Sequence, residues 1–105
     1  MVATGAAAIE AIERVRADLF FMGVTGVHPE LGLTTGDAEE AAVKRAISRR
    51  AAETIVLASA EKLGAVSPFV VSRLGEVTGI IVEVDTPEEK IGSYTETGLL
   101  VLKAG

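Results

Sequence analysis

The chain is predicted to be an α/β domain, a mostly parallel sheet flanked by helices. Apolar runs of strand length, Leu19 to Val24, Ile55 to Ala58, Val77 to Val84 and Leu99 to Leu102, alternate with helical patterns. Two helix starts are written into the intervening segments, at Asp37 and at Thr86-Pro87-Glu88-Glu89. The runs are continuous rather than alternating, which suits strands covered on both faces. Helices placed between strands imply parallel, right-handed crossovers.

The elements follow in order. Gly5 to Arg16 carries Ala8, Ile9, Ile12 and Val15 at a spacing that sets them on one helical face. Leu19 to Val24, flanked by Asp18 and by Thr25-Gly26, is the first strand and is expected to be buried on both faces. The next twelve residues hold Pro29 and three glycines and are expected to form a loop. Asp37 is the expected N-cap of a helix reaching about Ala52, with Glu40 completing a capping box. Val43, Ala46 and Ile47 are to face inward, and Glu40 and Lys44 form an i,i+4 pair. Ile55 to Ala58 is the second strand, and Ser67-Pro68 opens a connector through Leu74. Val77 to Val84, rich in β-branched residues, is the third strand. Thr86 is the expected N-cap of the following helix, with Pro87 at its first position. Gly98 is its C-cap, and Leu99 to Leu102 closes the sheet.

Composition narrows the function. At 105 residues, the chain (1–105) makes one small domain. Hydrophobic residues are 49% against 24% charged, a folded composition. With three Phe, one Tyr and no Trp, the core has few large anchors, so stability is expected to lean on an oligomer interface. A net charge of −5 repels DNA and anionic membranes at long range. No cysteine is present, which excludes disulfides and thiolate metal sites, and a lone histidine, His28, makes no multi-histidine centre. Neither a metal nor a cofactor is expected. No signal peptide and no run of membrane-span length is visible, so the expected location is the cytoplasm.

The residues capable of binding chemistry lie at strand ends. Lys62 follows the second strand in Ser59-Ala60-Glu61-Lys62-Leu63-Gly64, either as a ligand lysine or as a solvated loop lysine. Lys44 is accounted for by its pair with Glu40. The segment Gly32-Leu33-Thr34-Thr35-Gly36 precedes a helix N-terminus, where amides and hydroxyls hold phosphate, though Thr and Gly are also ordinary loop residues. No Walker or dinucleotide-binding glycine pattern is present, and His28 beside Pro29 reads as a turn residue. No serine has a histidine–acid relay, so no catalytic residue is assigned.

The order of these short motifs resembles the effector-binding domain of DeoR-type sugar-responsive transcriptional regulators. Their fold is shared with ribose-5-phosphate isomerases and CoA transferases. The correspondence runs from Thr4-Gly5 through Ala104: a strand ending in Gly-x-x-Gly (Gly23 and Gly26), a Gly-x-Thr segment, a helix with Glu40 and Lys44, and a loop closing on Lys62. The resemblance implies a Rossmann-like sheet, incomplete at its N-terminal side, that binds a phosphorylated sugar or related metabolite. Lys62 and Lys44 would neutralise the phosphate, Thr25 and Thr35 would hydrogen-bond hydroxyls, and Glu40 would orient Lys44 or a hydroxyl. The implied partners are the small-molecule effector and further copies of the chain, with DNA reached only through a separate winged helix-turn-helix.

The departures weigh against the alternative, a small sugar-phosphate isomerase or transferase. Where the isomerases carry an acidic motif ahead of the loop, this chain has Met22-Gly23-Val24-Thr25, and their glutamate before the helix lysine corresponds to Val43. Isomerisation needs a base within reach of the ionising C–H, and neither position supplies one. The regulators often carry Asp where this chain has Ser59, and again near Glu83. The chain starts after the winged helix-turn-helix and after the strand that opens these effector domains, and has no basic helix-turn-helix of its own, so no direct DNA binding is expected. A sheet lacking that strand is expected to expose an edge or an apolar face and to self-associate.

Overall fold

The computed structural model describes residues 5–105, so expectations for Thr4 and for the Ala8 side chain fall outside it. Helix α1 spans Gly5–Ile12, shorter than expected. Its last turn tightens into i,i+3 bonds, Arg14 N–H to Ala11 O and Val15 N–H to Ile12 O, and the chain then straightens into the first strand. Val15, expected on the inward face, lies beyond the helix and is exposed.

The main sheet is parallel as expected. Strands β1 (Ala17–Gly23), β4 (Ala51–Ala58), β6 (Gly79–Glu83) and β7 (Leu100–Ala104) lie in the order β1-β4-β6-β7, all parallel. Register places Met22, Val56, Ile80 and Val101 in one row across the sheet. That row faces α2 (Ala38–Arg50), α3 (Glu88–Thr95) and the small sheet described below, and the core fills the space between. Its largest fully buried side chains are Tyr94, Met22, Leu33 and Ile80, with valine and threonine around them. Gly79 is needed where β6 meets β7, since a Cβ there would lie 2.5 Å from Leu100 O.

One expectation about β1 fails. The strand is at the sheet edge, and only Met22 of its large side chains is buried, while Leu19 and Phe21 are exposed. A continuous apolar run specifies a strand but not whether a second layer covers its outer face.

The twelve residues expected as a loop contain a hairpin. β2 (Gly26–His28) and β3 (Gly32–Thr35) pair antiparallel, and β5 (Phe69–Ser72), a strand formed inside what was expected only as a connector, adds to β3. His28 closes the turn, its Nδ1 accepting from the Glu30 and Leu31 amides at 3.1 Å each. Gly32 has φ +83 and sits where a Cβ would be 2.5 Å from Ser72 O, so only glycine fits. Glycine and proline here mark the turn and a close strand approach, not an absence of pairing.

Helix α2 begins at the expected N-cap, with the Asp37 carboxylate accepting from Glu40 N–H at 3.0 Å, while the Glu40 carboxylate pairs with Lys44 rather than closing a capping box. It stops at Arg50 because β4 starts at once, four residues before the expected Ile55. Ala41 is its buried residue, and Val43, Ala46 and Ile47 are half-buried.

Helix α3 corrects another expectation. Its N-cap is Pro87, with no side-chain cap bond, and Thr86 is buried with a hydroxyl that finds no partner. The Thr86 amide instead closes a turn onto Glu83 O at 3.0 Å. Thr86→Val should therefore be neutral or stabilise the fold by up to about 1 kcal/mol, because it removes an unpaired buried hydroxyl at constant shape. A loss of about 1 kcal/mol in denaturant titration would restore Thr86 as a capping residue. The C-cap is Glu96 rather than the expected Gly98, which follows in the closing turn with φ +85, its amide bonding Thr95 O at 3.0 Å.

Candidate functional site

Polar residues gather at the carboxyl ends of β1, β4 and β6 in two adjoining groups. The first surrounds the end of β1. Lys44, on α2, hydrogen-bonds the Gly23 carbonyl and pairs with Glu40 at 2.7 Å. The hydrogen bond that Lys44 donates to Glu40, together with the Lys44 charge, holds the Glu40 carboxyl below the usual glutamate range, opposed by slight desolvation and helped by the nearby Thr35 hydroxyl. Thr35 itself is fully buried, and its hydroxyl meets no partner in hydrogen-bonding geometry. Lys44 is thus a neutralised cation that fixes the end of β1.

The second group lines an open cleft of about 350 Å³. Leu57, Ala58 and Ser59 from the end of β4, Ile81 to Glu83 from β6 and Ala104 from β7 form its walls, and Lys62 stands on the turn after β4. Among the described residues the Lys62 ammonium has neither a hydrogen bond nor an ion pair. Beside it the Ser59 hydroxyl is buried with no partner in hydrogen-bonding geometry, although the exposed Glu61 carboxyl, held below its usual range by its own amide and by this hydroxyl, lies close by, and Glu83 accepts from the Ala60 amide at 2.9 Å. An unpaired ammonium next to an orphan hydroxyl is a place for an anion. Gly23 is the register partner of Leu57, so the two groups flank the same end of the sheet.

Thr25 belongs to neither group. Its hydroxyl donates to Thr34 O at 3.3 Å and meets Ser67 Oγ at 2.5 Å, pinning the connector to the hairpin. Ser67 N–H also donates to Thr34 Oγ1 at 2.8 Å. Gly26 allows this approach, since a Cβ there would lie 2.4 Å from Ala65 O, whereas one on Gly23 would meet nothing within 4 Å. The two glycines of the Gly-x-x-Gly motif therefore differ in their constraint.

Tyr94 is the residue that sequence reasoning missed. From α3 its buried hydroxyl donates to Val27 O at 2.6 Å and accepts from Gly64 N–H at 2.9 Å. It ties the Lys62 turn to β2, where Val27 and Leu63 form an isolated bridge. Burial raises its pKa, against the Gly64 hydrogen bond, which lowers it. The available signal was a tyrosine three residues after Ile91 on an inward helical face, since a buried phenol needs a polar partner.

Among the described residues no group of three or more His, Asp or Glu gathers where it would hold a metal ion, and no helix is long and apolar enough to cross a membrane. A parallel sheet with polar side chains clustered at its carboxyl ends is a small-ligand-binding α/β architecture. The chain belongs to the family of DeoR sensor domains: the model described as "DeoR C terminal sensor domain" matches residues 1–84. It is 35% identical over 92 residues to the "Uncharacterized HTH-type transcriptional regulator FruR" of Bacillus subtilis, covering 88% of this chain and 36% of that protein. Over 53 residues it is 38% identical to the "HTH-type transcriptional regulator GlpR" of Haloferax volcanii, covering 50% of this chain and 21% of that protein. The matched stretch is thus well under half of either relative.

Proposed function

We propose that this chain is the sugar-phosphate-sensing part of a DeoR-type regulator, a repressor in the sense that effector binding releases DNA, acting in the cytoplasm. The observation that carries this reading is the unpaired Lys62 ammonium beside the orphan Ser59 hydroxyl, in a cleft at the ends of parallel strands. Lys62 takes the phosphate. Thr35 and Glu40 hold sugar hydroxyls, Lys44 orients Glu40, and Thr25 sets the wall beside them. DNA is contacted by a separate winged helix-turn-helix, in keeping with both relatives being named HTH-type transcriptional regulators. The sheet is of the kind found in ribose-5-phosphate isomerases and CoA transferases, used here for binding without catalysis. Effector binding shifts a homo-oligomer between states of different DNA affinity, through its differential affinity for the two.

Calorimetric titration with a panel of sugar phosphates, their free sugars and inorganic phosphate tests this. Saturable binding of one or more sugar phosphates, with the matching free sugars at least about tenfold weaker, is the expected result. Equal affinity for sugar and sugar phosphate, or no binding across the panel, would refute it.

A further inference from the structure

The amino end of the main sheet, opposite the Lys62 cleft, carries arginines that the proposed function does not use. β1 and β4 pair with Ala17 opposite Ala51, so Arg16 and Arg50, one residue before each, stand side by side at the usual strand spacing of about 4.8 Å. Arg50 ends α2 and β4 follows without a loop, so the chain has no slack there to part the two. The Arg50 Nε donates to Val15 O at 3.0 Å, which fixes the guanidinium and leaves its two terminal nitrogens without an acceptor among the described residues. Arg16 and Arg50 line an open hollow of about 260 Å³ with Asp18 and three alanines. Neither guanidinium has an ion pair among the described residues, with Asp18 or with any other carboxylate. Of the arginines in this region only Arg14 is paired, with Glu10 at 3.5 Å.

We propose that Arg16 and Arg50 form a second anion site, which takes a small phosphate-type dianion independently of the effector cleft. Two like charges held together by strand register, with no carboxylate paired to either, are stabilised by an anion they share. Guanidinium groups suit that role, because each presents a planar fork of N–H donors matched to two oxygens of one phosphate. The negative pole of α2 lies at this end and, with Asp18, opposes an anion; Arg16, Arg49 and Arg50 outweigh both. The chain's net charge of −5 repels a polyanion at long range, and the hollow holds little more than a phosphate group and a short body. The ligand is therefore a free phosphate compound rather than a nucleic-acid backbone. This end of the sheet is separated from Lys62 by the length of β4, roughly 20 Å, so occupancy of one site does not require the other.

Nuclear magnetic resonance titration of the chain with sodium phosphate, at ionic strength held constant with sodium chloride, provides the test. Between about 0.1 and about 20 mM phosphate, the amide shifts of Arg16 to Asp18 and Arg50 to Ala52 should saturate with a Kd of about 1 mM, as suits an open site. Arg16→Gln and Arg50→Gln should each weaken this binding at least about tenfold, since each removes one of two charge-assisted contacts. Both side chains are exposed, so the folded spectrum should persist, and Arg16 holds no backbone carbonyl whose loss could confuse the result. Lys62→Ala should leave the response of these amides unchanged, which separates failure of this site from failure of the effector cleft. Shifts that rise without saturating, or that survive both glutamine substitutions, would overturn the site. A short DNA duplex that moves the same amides at a lower phosphate concentration than free phosphate does would overturn the small ligand in favour of a nucleic-acid backbone.

Discussion

Tyr94→Ala is expected to cost about 3–5 kcal/mol of stability, the range for deleting a buried aromatic side chain. Tyr94 is 2% exposed and lies where α3, the hairpin and the Lys62 turn converge. Its truncation leaves a cavity in a core whose other large buried side chains, Met22, Leu33 and Ile80, are aliphatic. Tyr94→Phe separates the ring from the hydroxyl. Gly64 N–H also bonds Val27 O, at 2.7 Å, so losing the hydroxyl leaves both backbone groups paired with each other. Phe should therefore cost only about 1 kcal/mol, the net worth of an ordinary hydrogen bond. Urea titration of both variants checks this. A Phe variant as damaged as the Ala variant would show that the hydroxyl, not the ring, holds the three elements together.

Lys62→Ala is expected to lower affinity for the tightest-binding sugar phosphate about ten- to a hundredfold, since a charge-assisted hydrogen bond is worth roughly 1.5–3 kcal/mol. Lys62 is the sensitive cation because it has no ion pair among the described residues, whereas Lys44 is already paired with Glu40 and bonded to Gly23. Lys103 serves as control. It pairs with Glu88 on the helix-covered side of the sheet, and its replacement should change affinity little. Calorimetric titration of the three alanine variants should rank the losses Lys62, then Lys44, then Lys103. Equal losses would reduce the site to general electrostatics, and an unchanged Lys62 variant would remove it from the site.

How far the sequence was legible depends on the range of each interaction. The Asp37 cap was readable because its acceptor and donor are three residues apart. Thr86 carried the same kind of signal and misled, because burial at the end of β6 took its hydroxyl away from the helix start. The Glu40–Lys44 pair followed from helical spacing alone. Lys62 was correctly placed after a strand, but only the fold reveals that its ammonium lacks a partner and that Ser59 beside it is orphaned. Thr25 had the right chemistry for a ligand hydroxyl, and a neighbour 42 residues away in sequence, Ser67, claimed it.

The sequence by itself determined the α/β class, the four parallel strands, the start of α2 and the helix-surface ion pair. Each depends on residues within a few positions of one another, or on an apolar run long enough to be a strand in any context. The tertiary structure alone decided that Gly26 to Thr35 is a hairpin, that β1 is an edge strand and that one face of the main sheet is bare. A three-residue strand such as β2 has too little local preference to declare itself; it pairs with β3, which β5 holds on the other side from more than thirty residues away. Likewise an apolar run records that a side chain favours burial, while whether anything covers it depends on every other layer of the fold.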